Sequence, residues 1–280
     1  MNFGMLGFAH GHAAGYAARI QDEPDFTLVA TYDHDELRRA EATQRFGGDA
    51  HDDPLSLLSR SDVEAVIVMA ETSLHADLVV HAAAAGKHVL CEKPIATHRA
   101  DAIRMVEACQ SCGVLMGTIF PMRYNSAIVA ARESIRSGSI GRPQVATGTN
   151  NGQMPPGWFQ NPELAGGGAM MDHVVHLADL LRWMFGTEID SVYAESNTRL
   201  TSGLAVEDVG VVLLTLQNGM TASIDCSWNR PASWPIWGGL TLEAVGDRGV
   251  IEIDAFAEQI RLADDRSGRF SYVPWGGDAD

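Results

Sequence analysis

Lysine is nearly missing from this chain of 280 residues: of its 20 basic residues only Lys87 and Lys93 are lysines. The basic residues face 36 acidic ones, the formal net charge is −16, and Lys and Arg nowhere cluster. Nucleic-acid backbones are bound through clustered positive charge, so the balance argues against a nucleic-acid partner. Any anionic cofactor must then be held by local dipoles. Cysteine is scarce as well. Cys91, Cys109, Cys112 and Cys226 are too few and too scattered for a disulfide framework. Cys109-x-x-Cys112 has zinc-like spacing but no second pair, and it falls at the end of an amphipathic pattern, so packing is the expected role. No apolar run approaches the roughly 18 residues of a membrane span. "MNFGMLGFAH" carries no basic stretch ahead of its apolar residues, so no membrane partner and a cytoplasmic location are expected.

The length allows about two domains with proper cores. Up to about residue 119, short β-rich runs alternate with helical patterns, which predicts an α/β, doubly wound parallel sheet. "FGMLG", "FTLVATYD", "VEAVIVMA", "KHVLC" and "VLMGT" are the strands. The almost unbroken apolar character of "VEAVIVMA" suits a strand buried on both faces. After Pro121 the pattern changes. Helical stretches over 126–136 and 168–185 precede "DVGVVLLTLQ" and "MTASIDCSWN", joined by Asn218-Gly219, and "LTLEAVGDRGVIEID". Asn-Gly is the two-residue signal of a tight hairpin, and consecutive hairpins predict an antiparallel sheet. Domains are therefore expected over residues 1–119 and 120–280, the second α+β with a predominantly antiparallel sheet.

"LGFAHGHAAGYA" follows the first strand and opens a helix. In a dinucleotide-binding unit the first glycine makes the tight turn, the second admits the pyrophosphate and the third lets helix and strand pack. Gly7 fills the first role, while Ala9 and His12 stand at the other two positions. Backbone N–H groups and a helix N-terminus do most of the phosphate holding, and Asp33 at the end of the second strand is placed to accept ribose hydroxyls. His10 and His12 admit two roles. A metal pair would need further ligands converging from elsewhere; the alternative packs His12 on the helix and points His10 toward the cofactor, and no metal is expected.

Glu92-Lys93-Pro94 lies just beyond a strand's carboxyl end, where ligands of parallel sheets bind. Proline holds Lys93 extended, and its peptide bond can be cis. A lysine retained at a strand end in so arginine-rich a chain points to a compact amine of tunable pKa; Lys87 is expected to be solvated. Gly166-Gly167-Gly168 is suited to close approach of a ligand at a helix entrance. Asp172 and His176, four apart, share a helical face, an arrangement in which a carboxylate orients an imidazole that moves a hydroxyl proton. His173 lies about 100° round that helix. A metal on Asp172, His173 and His176 is the alternative. Trp158, Phe159 and the Trp228 to Trp237 region are either a sugar platform or core.

"CEKPIA", "SLHADLVVHAAAAGKHV" and "ELAGGGAMMDHVVHLADLLRW" together resemble the Gfo/Idh/MocA family of nicotinamide-dependent oxidoreductases, over nearly the whole chain. The resemblance implies a Rossmann domain followed by the second domain, and Lys93, Asp172 and His176 as catalytic residues. It places Gly7, Ala9 and Asp33 at the cofactor, together with Ser73 and His75 of the "SLH" segment; His10, His12 and Glu92 are assigned to the same site. Arg123, Tyr124, Trp158 and His173 are expected to face the substrate. The implied activity is hydride transfer between NAD or NADP and a sugar, polyol or related molecule. Asp33 followed by His34, without an adjacent arginine, favours NAD. An NAD-dependent glycosidase and a non-catalytic cofactor-binding regulator are the alternatives on this scaffold. A homo-oligomer through the second domain's sheet is expected, as in the resembled family. The chain departs from the family in Ala9 and His12, in Val174, and in Glu71-Thr72 where Pro-Asn is common. It also stops short of the family's usual length, which is expected to open the substrate cleft or shift its closure to a partner subunit.

Overall fold

The computed structural model describes residues 1–234, 236–256, 259–264 and 269–274; Pro235, within the Trp228 to Trp237 region, and the last residues of the expected second domain lie outside the described residues. Two units are present: Met1–Ile119 with Asn161–Gly166, and Phe120–Gln160 with Gly167–Asp280.

The first unit is a sheet of six parallel strands, β1 (Asn2–Leu6), β2 (Thr27–Tyr32), β3 (Asp49–His51), β4 (Ala65–Val68), β5 (His88–Glu92) and β6 (Met116–Ile119), in the order β3-β2-β1-β4-β5-β6. Helices α1 (Ala13–Asp22), α2 (Glu36–Phe46), α3 (Pro54–Leu58), α4 (His75–Ala84) and α5 (Arg99–Ser111) connect them. Side chains alternate across the strands, and both faces are buried. Phe3, Met5, Ala65 and Ile67 join Ala13, Ala17 and Ile20 of α1 in one cluster. Leu6, Val66 and Val68 join Val79, Ala82 and Ala83 of α4 in another. Each Val, Leu, Ile, Met or Phe among them contributes about 1.5–3 kcal/mol by leaving water, which is why these strands carry apolar residues at consecutive positions. α2 and α3 start where short polar side chains accept N-terminal amides: Asp35 takes those of Leu37 and Arg38, and Asp53 those of Leu55 and Ser56. Lys87, expected in solvent, is buried; its Nζ donates to the carbonyls of Arg60 (2.7 Å) and Val63 (2.9 Å). Burial of its stem with the ammonium on two carbonyls of the α3–β4 connection is a structural tie that solvation patterns do not reveal.

In the second unit α6 (Ser126–Arg136) leads to β7 (Pro143–Gly152). The short α7 (Pro162–Ala165) belongs to the first unit, where it packs on the turn Thr72–Leu74. There follow α8 (Ala169–Phe185), β8 (Ile189–Asn197), β9 (Val209–Leu216), β10 (Thr221–Asp225), β11 (Gly238–Gly246), β12 (Gly249–Asp254), β13 (Gln259–Asp264) and β14 (Arg269–Pro274). The hairpins β9–β10 and β11–β12 form, but they are not neighbours. The order is β14-β13-β12-β11-β7-β10-β9-β8, with β7 inserted between them, parallel to β10 and antiparallel to β11. The sheet is therefore mixed, and mostly antiparallel. Ile128, Ala131 and Ile135 of α6 and Leu177, Leu180, Leu181 and Met184 of α8 pack on alternate strand residues such as Ala146, Val212, Leu214, Ile224 and Leu242. Among the described residues no helix is long and apolar enough to cross a membrane.

Candidate active site

In the first sheet the chain runs outward from β1 in one direction through β2 and in the other through β4, and ligands of such sheets bind beyond the strand ends at that reversal. Gly7 stands there with φ +94°. A Cβ at Gly7 would meet Ala70, just past β4, at 2.6–2.7 Å, so both its conformation and its neighbour require glycine. The turn is fixed by main-chain bonds from Gly7 N to Tyr32 O (2.8 Å) and from His10 N to Met69 O (3.1 Å). It ends at His12, which begins α1 without a capping side chain. A tight glycine turn entering a helix whose first turn lacks a side-chain cap fits a dinucleotide's pyrophosphate.

Asp33 is fully buried and already engaged. It accepts from Phe8 N (2.7 Å), Asp35 N (2.8 Å) and the Nε and Nη2 of Arg38. Arg38 Nη2 also donates to Glu71 Oε1 at 3.0 Å, and Arg39 Nη1 donates to the Asp33 carbonyl at 2.7 Å. The sequence expectation of no arginine near Asp33 is therefore corrected. Arg38 lies five residues on, and the N-terminal turn of α2 brings it back. Burial alone would lower the Arg38 pKa, but the hydrogen bonds and charges of Asp33 and Glu71 outweigh it and hold the pKa above its usual value.

At the end of β5, Glu92 and Lys93 are both buried, and the Lys93–Pro94 bond is cis. His12 Nδ1 lies 3.4 Å from Glu92 Oε2, and the His10 and His12 rings are 4.4 Å apart. Ser73 is partly buried in the turn Thr72–Leu74. His75 is buried beneath it, its Nδ1 3.0 Å from Pro94 O and its Nε2 3.1 Å from Ala70 O. It thus ties the end of β4 to the segment carrying Lys93. Gly166, expected to admit a ligand, instead packs on protein: a Cβ there would meet Thr97 at 2.7 Å.

The second unit places Asp172, His173 and His176 on α8, all buried. Asp172 Oδ2 accepts from Trp228 Nε1 at 3.3 Å, and His173 Nε2 also lies 3.3 Å from it. His173 Nδ1 donates to Cys226 O at 3.1 Å, and Trp237 meets the ring edge-on at 6.1 Å. Asp172 therefore has the imidazole one residue on as a close neighbour, and His176 shares its helical face four residues on. Gly168 is required by the approach of Glu207, whose carbonyl a Cβ there would meet at 2.0 Å. Arg123 grips Asp179 with Nε (2.7 Å) and Nη2, a bidentate pairing that anchors the turn Pro121–Tyr124 to α8. Tyr124 is exposed, and Trp158 stacks on Phe159 at 3.9 Å. Arg38, Glu71 and Glu207 were not legible as site residues; each acts across a sequence gap that periodicity does not span, and only the departure at Glu71 offered a signal.

Residues 1–120 match the oxidoreductase family's NAD-binding Rossmann fold, and residues 128–252 match the GFO/IDH/MocA C-terminal domain. An inositol 2-dehydrogenase of Acidothermus cellulolyticus is 31% identical over 256 residues, which cover 89% of this chain and 70% of that protein. The chain belongs to the Gfo/Idh/MocA family of oxidoreductases. Another relative, the myo-inositol 2-dehydrogenase of Thermotoga maritima, is 29% identical over 280 residues, 97% of this chain and 82% of its own length. The WlbA dehydrogenase of Bordetella pertussis, solved with NADH and UDP-GlcNAcA, aligns with a TM-score of 0.83 at 26% identity, over 91% of this chain and 73% of that one. The strand order of the first unit and the mixed sheet of the second are those of this Gfo/Idh/MocA oxidoreductase fold.

Proposed function

We propose that this protein is a dehydrogenase that oxidises a CH–OH group of a sugar, polyol or related molecule with NAD, or reduces the carbonyl with NADH. The carrying observation is Lys93, a buried ammonium at the carboxyl end of β5 in a sheet whose reversal point presents the Gly7 turn and the α1 N-terminus. The relatives named as inositol dehydrogenases support the substrate class. Residues 1–119 hold the dinucleotide, through Gly7, Ala9, His10 and His12 at the phosphates, Asp33 at the adenosine end, and Ser73, His75 and Glu92 nearer the nicotinamide. The nicotinamide supplies the hydride acceptor or donor. In oxidation His176 takes the hydroxyl proton, and Lys93 donates a hydrogen bond to the same oxygen, stabilising the alkoxide as the carbon loses hydride. Asp172, fixed by Trp228 and His173, supplies the negative charge that favours the imidazolium. Arg123, Tyr124, Trp158 and His173 contribute to the substrate side. Asp33 and Glu71 both engage Arg38 and commit its guanidinium, which favours NAD over NADP.

We also propose a homo-oligomer formed through the second sheet, where Val145, Val192, Tyr193 and Leu213 are exposed together around one shallow hollow. The four free thiols support a reducing, cytoplasmic location. The test incubates the protein with NAD and a panel of polyols and sugars and follows NADH absorbance. Turnover is expected, and Lys93→Met should lower kcat by about 10²–10³-fold while NAD still binds. No turnover on any polyol or sugar, or an undiminished kcat in Lys93→Met, overturns the proposal.

A further inference from the structure

A metal pair at His10 and His12 lacked a third ligand in the sequence; the fold supplies one. Glu92, 80 residues from His12 in sequence, ends β5 beside the β1–α1 turn, and one ligand atom from each of the three side chains lies within 4.8 Å of the others. The 3.4 Å separation of His12 Nδ1 and Glu92 Oε2 is the spacing that two ligands have when each lies about 2.0–2.1 Å from a tetrahedral zinc. The turn is held by main-chain bonds on both sides of the imidazoles: His10 N to Met69 O, Ala13 N to His10 O and Tyr16 N to His12 O. A bond from the His12 amide to His10 Nδ1 (3.1 Å) positions the first ring.

Glu92 makes the site more than two neighbouring histidines. It is 0% exposed, and neither carboxylate oxygen forms a well-directed hydrogen bond. A buried carboxylate in that state costs several kcal/mol unless a cation compensates it. Two imidazoles and one carboxylate suit a borderline cation, whereas magnesium and calcium prefer oxygen alone. The His12 side chain is 45% exposed, so an ion has a route in.

We infer that His10, His12 and Glu92 form a binding site for a divalent cation of the zinc class, with three protein ligands and an open fourth position. Such an ion fastens the β1–α1 turn to the end of β5. The site shares these residues with the proposed dinucleotide pocket, so its test uses neither dinucleotide nor substrate and can fail without touching the proposed activity.

Chelator-stripped protein is titrated with Zn²⁺ by calorimetry and with Co²⁺ by visible absorption, and melted with and without Zn²⁺. One ion per chain is expected, with a raised Tm and a four-coordinate Co²⁺ spectrum free of thiolate charge transfer. His12→Ala, at a half-exposed position, should weaken Zn²⁺ binding at least ten-fold, and so should Glu92→Gln, which keeps the side-chain volume. Absence of stoichiometric uptake overturns the site. So does undiminished binding by His12→Ala, which places the ion elsewhere. A thiolate-dominated Co²⁺ spectrum does the same, since it assigns the ion to a cysteine such as the exposed Cys112.

Discussion

Arg38 divides one guanidinium between two buried carboxylates, Asp33 and Glu71. That guanidinium is committed to both carboxylates, so a 2′-phosphate brought there meets two acids and cannot recruit Arg38 without displacing one of them. Glu71→Gln keeps the oxygen that accepts from Arg38 and removes one charge. NADP should then gain on NAD by about ten-fold in kcat/KM, the scale of a charge contact at an effective dielectric near 20 relaxed by partial exposure. Steady-state kinetics with both cofactors checks it, and an unchanged ratio refutes it. His75 carries a second residue-scale prediction. Its two nitrogens face two carbonyls, and a neutral ring donates to only one. Burial is nonetheless the largest influence and lowers its pKa below the usual 6.5. The unfolded chain then binds the proton more readily than the native one, so stability is full above about pH 6.5 and falls as pH drops from there toward the native pKa, by up to about 1.4 kcal/mol per pH unit. Urea denaturation of wild type and His75→Gln should show a stability difference that changes across this window; parallel pH profiles would rule out His75 as its source.

α8 depends on a residue that its own sequence does not contain. Its first residues have no side-chain cap, and Glu207 does that work from outside: Oε1 accepts from Gly168 N (2.9 Å) and Met170 N (3.0 Å), and its carbonyl accepts from Ala169 N (2.9 Å). A carboxylate at a helix N-terminus satisfies otherwise orphaned amides and complements the helix dipole. Glu207→Ala should cost about 1–2 kcal/mol in urea denaturation, with Glu207→Gln intermediate; an unperturbed midpoint in Glu207→Ala would show that the cap contributes nothing. Patterns in the chain did locate the helix, because apolar residues at helical spacing run from Gly168 to Phe185. They also located five of the six strands of the first sheet, missing only the short, polar β3, and the two hairpins, whose turn residues are adjacent in sequence. The placement of β7 between those hairpins was not legible, because strand neighbours far apart in sequence leave no periodic mark. Nor was β8, exposed along nearly its whole length and hence without an alternating pattern. The further neighbours of Asp172 were not legible for a related reason. Helical spacing says which residues share a face, but Cys226 and Trp228, from a distant segment, decide where the carboxylate and the His173 ring settle.

At the scale of the whole molecule, two features oppose each other: a formal charge of −16 and an uncovered apolar sheet face. Val212 and Leu214 of β9 point into the core, and the alternate residues Val211 and Leu213 point out. Leu213 stands opposite Tyr193 of β8, and both are more than half exposed, at 52% and 60%. Contiguous exposed apolar side chains on a sheet mark an association surface, and self-association through it would bring two strongly acidic chains together. Hydrophobic burial favours the pair and charge repulsion opposes it, so the balance depends on ionic strength. At low salt the Debye length is about 30 Å at 0.01 M and falls to about 8 Å at 0.15 M, so added salt should tighten the oligomer, the reverse of an assembly held by salt bridges. Sedimentation velocity across that range is expected to show the larger species gaining with salt. Leu213→Glu, which puts another negative charge in the centre of the patch, should shift the population to monomer at every salt concentration without lowering the Tm by more than a few degrees, because the side chain is not in the core. A wild-type chain that stays monomeric at high salt, or a Leu213→Glu variant that assembles like the wild type, would mean that this face is not where copies of the chain meet.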